Sequence, residues 1–138
     1  LLDIGIPPFL LGSCLNLVMA QRLVRTICKE CKESYTPTKG ELKKFSISEE
    51  QLKDAQISQG KGCKNCRGTG YKGRTAIHEI LEVKKEVRTL IFQNENEKVI
   101  QEKAIETGMT PLRTAGIDKI LTGQTTFYEV QRSTVEDF

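Results

Sequence analysis

Four cysteines in two matched pairs carry the clearest chemistry in this sequence: Cys28 and Cys31 in "ICKEC", and Cys63 and Cys66 in "GCKNC". With two residues between its thiols, each pair can present two thiolates to one metal ion from a single turn. Zn²⁺ in structural sites takes four nitrogen or sulfur ligands, so the spacing predicts a tetrahedral zinc centre on Cys28, Cys31, Cys63 and Cys66. Between Cys31 and Cys63 lie 31 residues, more than the roughly 15 to 20 of common ribbon sites. The intervening segment therefore reads as an insert tethered at both ends. Closing such a loop costs roughly 3 kcal/mol plus a constant, against about 10 to 16 kcal/mol that structural zinc supplies in small peptides.

Two other chemistries use the same residues. Paired thiols serve disulfide exchange, usually from one pair at a helix start beside a strand; here there are two pairs, and no helical pattern follows either. Lys61, Lys64, Arg67, Lys72 and Arg74 surround the second pair without an acid among residues 61 to 74, and Tyr71 offers a ring for base stacking. Four thiolates on Zn²⁺ carry a formal charge of −2, however, so nearby cations are expected on structural grounds as well. His78 is the single histidine; with four sulfurs available it reads as a locally bonded strand residue. Glu79 has no nucleophile, second carboxylate or oxyanion-hole motif beside it. No G-x-x-x-x-G-K-[ST] loop occurs, and no residue of this chain is assigned a catalytic role. Cys14 stands apart on an apolar run and reads as a small buried hydrophobe.

The elements that must position the thiols belong to a chain of 138 residues, long enough for one domain with a core. Its 21 Lys+Arg against 18 Asp+Glu give no nucleic-acid signature. The run "FLLGSCLNLVMA", residues 9 to 20, falls short of the roughly 20 residues of a membrane span and is expected to be a buried core helix. Asp3 stands where a signal peptide would carry basic residues, so a cytoplasmic location is expected. Because it opens on Leu1, the chain reads as an excised or processed piece.

Pro8 suits the first turn of that helix, and "QRLVRTI" reads as a short strand into the first cysteine pair. Residues 33 to 61 are polar, with Leu42, Phe45, Ile47, Leu52 and Ile57 as their main apolar content, too thin a core to fold alone. A capping box at Ser48 and Gln51, or at Ser46 and Glu49, opens a short helix through Leu52. "RTAIHEILEV", residues 74 to 83, is a strand. Val83, Val87, Leu90 and Ile91 then share one helix face. A second helix, capped by Asn94 or Asn96, carries Val99, Ile100, Ala104 and Ile105 to Gly108. A third follows Thr110 and Pro111, burying Leu112, Ala115 and Ile120 or Leu121 before stopping at Gly123. A fourth starts at Thr126 with Phe127 and Val130, giving a C-terminal helical bundle.

In order, "LLDIGIPPFLL", "AQRLVRTICKEC", "GCKNCRGTGYKGRTAIHEIL" and "GMTPLRTAGIDKILTGQTTFYEVQRST" resemble the C-terminal part of the type II secretion and type IV pilus assembly ATPases. The most specific pieces are Gln21-Arg22-Leu23 before the first pair and Gly70 to Arg74 after the second. Pilus retraction ATPases resemble the strand and helices but lack the tetracysteine insert. The resemblance implies an α/β chain that ends a RecA-like P-loop NTPase core, with residues 1–27 its last helix and strand. Residues 28–66 are then a zinc subdomain, 67–83 a loop and final sheet strand, and 84–138 a helical subdomain. It implies a hexameric cytoplasmic motor, peripheral to the bacterial inner membrane and engaging inner-membrane components of its machine, with no nucleic acid and no membrane span. ATP and Mg²⁺ would bind mainly upstream of these residues. "CKNCRGTG" also resembles the CxxCxGxG repeat of DnaJ-type chaperone zinc regions, which implies instead a zinc-dependent binding module.

Overall fold

The computed structural model describes residues 4–134. Its order is helix α1 (Pro8–Cys14), strand β1 (Leu17–Ile27), a 3-10 turn at Lys29–Cys31, β2 (Lys32–Ser34), α2 (Lys39–Lys44), α3 (Glu49–Leu52), β3 (Ser58–Gly60), β4 (Tyr71–Glu82), α4 (Lys85–Phe92), α5 (Glu97–Glu106), α6 (Leu112–Leu121) and α7 (Phe127–Ser133). The long strands β1 and β4 pair in one two-stranded sheet, and β2 and β3 form another. In the second the strands run antiparallel, with Lys32 opposite Gly60 and Ser34 opposite Ser58. The chain is thus a mixed helix-and-strand protein. Among the described residues the sheets have two strands each, so the RecA-like core implied by the resemblance is not itself present here.

Two compact units divide the chain, one of residues 1–20 and 78–111, the other of 21–77 and 112–138. In the first, Val83, Val87 and Ala104 are buried, with Leu15, Leu81, Ile91, Ile100 and Met109 packed around them. Arg88 donates from its guanidinium to the carbonyls of Gly12, Leu15 and Val83. A cation thereby meets the otherwise unpaired carbonyls where α1 ends, the charge a helix C-terminus favours. Asn96 caps α5 by accepting from the Val99 N–H, and Gly108 follows the helix with φ +110°, as a left-handed C-terminal position requires.

The second unit buries Phe45, Ile47 and Ile57 of the insert against Ile120, Phe127 and Val130. Phe45 and Phe127 meet edge to face with ring centroids 5.2 Å apart, a favoured aromatic geometry, and the Arg113 guanidinium lies 4.6 Å from the Phe45 ring centroid. Two capping boxes shape the insert: Thr38 with Glu41 opens α2, and Ser48 with Gln51 opens α3. The second was legible in the sequence; the first, with its helix, was not. Too thin a core to fold alone, that apolar content nevertheless holds the insert by packing on other elements. Its three large side chains are buried, because α6 and α7 complete the core they begin.

Three further expectations change. The apolar run at residues 9 to 20 is not one helix: α1 ends at Cys14, Leu15 is extended at ψ 127°, and Leu17 begins the strand. A short apolar run fits either period, so periodicity alone does not separate the two. The run is also far from fully buried, with Phe9 65% and Met19 54% exposed; Cys14 is exposed rather than a core residue. Finally, the four helices after Val83 do not gather into one bundle. Helices α4 and α5 belong to the first unit and α6 and α7 to the second, because their apolar faces cover different partners.

If α6 and α7 hold the insert by packing, Phe45→Ala should lower the unfolding free energy of this unit by about 3 to 5 kcal/mol in urea titration. Ile105→Ala, at an exposed position on α5, should cost no more than about 0.5 kcal/mol.

Candidate metal centre

Strand β1 delivers Cys28 at its end, and the Cys28 N–H donates to the Gly70 carbonyl at 2.9 Å. The 3-10 turn then places Cys31. Pairing of β2 with β3 returns the chain to the same place, where the Lys61 N–H donates to the Cys31 carbonyl at 3.0 Å. The second knuckle is closed by the Gly68 N–H on the Cys63 carbonyl, 2.9 Å, and the Thr69 N–H on the Cys66 carbonyl, 3.2 Å. Where the two arms of the second knuckle's loop meet there is no room for a side chain. A Cβ on Gly60 would stand 2.0 Å from the Gly70 carbonyl oxygen, and one on Gly70 would stand 2.4 Å from the Gly60 oxygen. With φ +77° Gly70 also needs the left-handed region that glycine enters freely.

All four sulfurs predicted from spacing come together, each within 4.8 Å of the others. Cys28 to Cys63 and Cys31 to Cys66 both measure 3.8 Å, and Cys63 to Cys66 measures 3.7 Å. A disulfide would need about 2.05 Å, and all four are free thiols. A tetrahedron of sulfurs at about 2.3 Å from a central ion has edges of about 3.8 Å, so the spacing fits a metal ion. The donor environment fits as well. Sulfur carrying negative charge is stabilised by N–H donors, and Cys66 accepts from the Cys63 N–H at 3.1 Å and the Gly70 N–H at 3.2 Å. Cys31 accepts from the Gly62 N–H at 3.3 Å, and the Asn65 amide points at Cys28 from 3.9 Å. Burial pushes the Cys31 thiol up to about 12. Burial opposes ionisation at Cys66 too, but the Cys63 and Gly70 N–H groups bring it down to about 6.

Other candidates separate from the cluster. His78 lies exposed on β4 and is not among the residues grouped for a metal. Neither cysteine pair opens an α-helix, the placement a thiol-exchange pair uses. The Tyr71 ring is not open for a base: the Arg25 guanidinium covers it at 4.2 Å, and its hydroxyl is hydrogen-bonded to the Thr126 hydroxyl at 2.8 Å.

Arg25 belongs to an anchor that sequence reading missed. Glu129 on α7 has no exposed side-chain surface. It accepts from the Arg25 backbone N–H at 2.8 Å, from its guanidinium at 2.7 Å, and from Arg132 at 3.3 Å. Thr125 adds a hydrogen bond to the Arg25 carbonyl, 2.7 Å, and the Ile27 N–H donates to the Gln124 carbonyl, 2.9 Å. The strand that enters the first knuckle is therefore fixed to α7 just before Cys28. Nothing in "YEVQ" or "LVRT" pairs these residues by spacing, since they lie 104 positions apart.

A mixed helix-and-strand chain built around a tetracysteine site of metal-binding geometry is the class these features define. The family described as "Type II/IV secretion system protein" matches residues 1–132. The chain is 41% identical over 134 residues to the type IV pilus assembly ATPase PilB of Thermus thermophilus, which is 97% of this chain and 15% of that protein. It is 43% identical over 135 residues to type II secretion system protein E of Aeromonas hydrophila, 98% of this chain and 26% of that protein. Against type II secretion system ATPase E of Vibrio cholerae the figures are 40% over 134 residues, 97% and 26%. The chain belongs to the type II/IV secretion system protein family and spans about a quarter or less of the length of these relatives. No helix among the described residues is long and apolar enough to cross a membrane.

Two outcomes follow from this geometry. Gly60→Ala should force apart the two arms of the second knuckle's loop and lower metal retention during dialysis, while leaving the helical circular dichroism of α4 and α5 in place. For Glu129, burial alone would raise the carboxyl, but the hydrogen bonds from Arg25 outweigh it and hold the group below its ordinary value of 4.5. Its stabilisation is therefore present above that value and is lost as pH falls through the lower folded-state value. Glu129→Gln should cost about 1 to 3 kcal/mol at pH 7 and flatten the loss of stability below pH 4.5, measured by denaturant titration across pH.

Proposed function

We propose that this chain is a portion of a hexameric motor ATPase that powers type II protein secretion or type IV pilus assembly, and that it carries one structural zinc ion. What supports the motor reading most is identity of 40 to 43% across nearly the whole chain to relatives of those two systems, two of them named as ATPases. What supports the zinc reading is four sulfurs at tetrahedral spacing with N–H donors on Cys31 and Cys66.

In this reading residues 1–27 and 67–83 complete the RecA-like core of the parent protein and 28–66 form its zinc subdomain, with the helices of 84–138 divided between the two units. ATP and Mg²⁺ bind residues upstream of this chain, and the motor works at the cytoplasmic face of the inner membrane against components of its machine. When bound, zinc supplies a redox-inert cross-link between sulfurs that are distant in sequence. The chain's own residues do the rest. Cys28 and Cys31 arrive on a strand anchored by Glu129, Cys63 and Cys66 arrive on a glycine-rich knuckle, and the Gly62, Cys63 and Gly70 N–H groups share the sulfur charge. The result is an insert rigid enough to serve as a docking surface while the motor cycles.

The test separates the two ways the insert is held. Stripping zinc from the purified chain with a strong chelator should remove hydrogen-exchange protection from residues 28–34 and 58–71. Protection of α2, α3, α6 and α7 should largely persist, because Phe45, Ile47 and Ile57 remain packed. Equal loss across the unit, or none, contradicts the proposed role of the metal. The full-length parent protein should hydrolyse ATP and sediment as a hexamer; a monomer without ATPase activity contradicts the motor reading.

A further inference from the structure

The four sulfurs are not equally protected, and the difference singles one out. Cys66 is buried and accepts two backbone N–H bonds; Cys28 is buried and faces the Asn65 amide. Cys31 is half-exposed but accepts the Gly62 N–H. Cys63 is half-exposed and, among the described residues, accepts no N–H hydrogen bond at all; its sulfur contacts are the Cys28 and Cys66 sulfurs. An N–H donor spreads the negative charge of a thiolate and weakens its lone pair as a nucleophile. Exposure decides whether an electrophile can approach. Exposure leaves Cys31 and Cys63, and of these two only Cys63 lacks an N–H donor.

We propose that Cys63 Sγ is the reactive sulfur of the cluster, the site at which soft carbon electrophiles modify this protein and through which it loses its metal. The proposal rests on the zinc reading above. With iodoacetamide as the electrophile, the Cys63 sulfur attacks the methylene carbon; a C–S bond forms as the C–I bond breaks, and iodide leaves with its electron pair. No proton transfer or oxidant is required. The product is a neutral thioether, which leaves the cluster three thiolates where it had four and weakens its hold on a divalent ion. Because the insert is also packed on α6 and α7, modification frees the knuckles without unfolding the unit, and Cys63 becomes a point at which chemistry alters the stiffness of the insert.

The experiment treats the zinc-loaded chain with substoichiometric iodoacetamide, follows metal release with a chromogenic chelator, and maps adducts by mass spectrometry after trypsin. Cleavage after Lys29, Lys32, Lys64 and Arg67 places each of the four cysteines on its own peptide, and Cys14 on another, so exposed Cys14 is counted apart. The expected result is labelling of Cys63 about tenfold faster than Cys31, the effect of one charge-assisted hydrogen bond, with zinc release rising in step with the Cys63 adduct. A zinc-loaded chain whose first cluster adduct lies on Cys31, Cys28 or Cys66 overturns this proposal and leaves the zinc reading standing. A chain that holds no zinc before labelling overturns both.

Discussion

The close approach of Gly60 and Gly70, which brings together the two arms of the second knuckle's loop, is the constraint on which the rest of the second unit depends. Backbone there approaches so closely that neither position has room for a Cβ; the Gly70 carbonyl also accepts from the Cys28 N–H, and the Cys28 and Cys63 sulfurs stand 3.8 Å apart. No disulfide joins the four sulfurs, and backbone N–H groups reach Cys31 and Cys66. Their spacing is one at which all four could hold a single ion.

Around that centre the protein distributes the work of holding a polar insert. The short β2–β3 ribbon brings the knuckles into register. Phe45, Ile47 and Ile57 supply apolar surface that α6 and α7 cover. The Arg25–Glu129 pair then fixes β1 immediately before its first thiol. An ion pair with its carboxylate buried and its guanidinium partly exposed is a weak source of net stability, but stranding the buried partner is costly, so it specifies where the strand ends more than it strengthens the fold. The metal would thus govern the stiffness of the insert edge, and packing the existence of the insert.

How far the sequence disclosed this depended on the range of each signal. The metal candidates were legible because CxxC spacing is local and chemically narrow, and the box at Ser48, the Asn96 and Thr126 caps and strand β4 were legible for the same reason. Residues 9 to 20 were misread because an apolar run of that length suits a helix or a strand equally, and burial was assumed from hydrophobicity alone. The grouping of α4 and α5 apart from α6 and α7 is a matter of which distant surface each face covers, and no local pattern encodes it. The same holds for Arg25 with Glu129, and for the donors on sulfur, although the glycines in "GCKNCRGTG" mark where backbone N–H groups can reach a thiolate.

Family membership places the chain among secretion and pilus proteins, and the tetracysteine centre is what its own residues add to that placement. X-ray absorption at the zinc K edge of the purified chain tests this centre most directly. The account predicts one zinc per chain with a single shell of four sulfurs at about 2.3 Å and no nitrogen or oxygen ligand. A mixed shell containing light-atom ligands, or a chain that retains no zinc while its knuckles stay ordered, would contradict it.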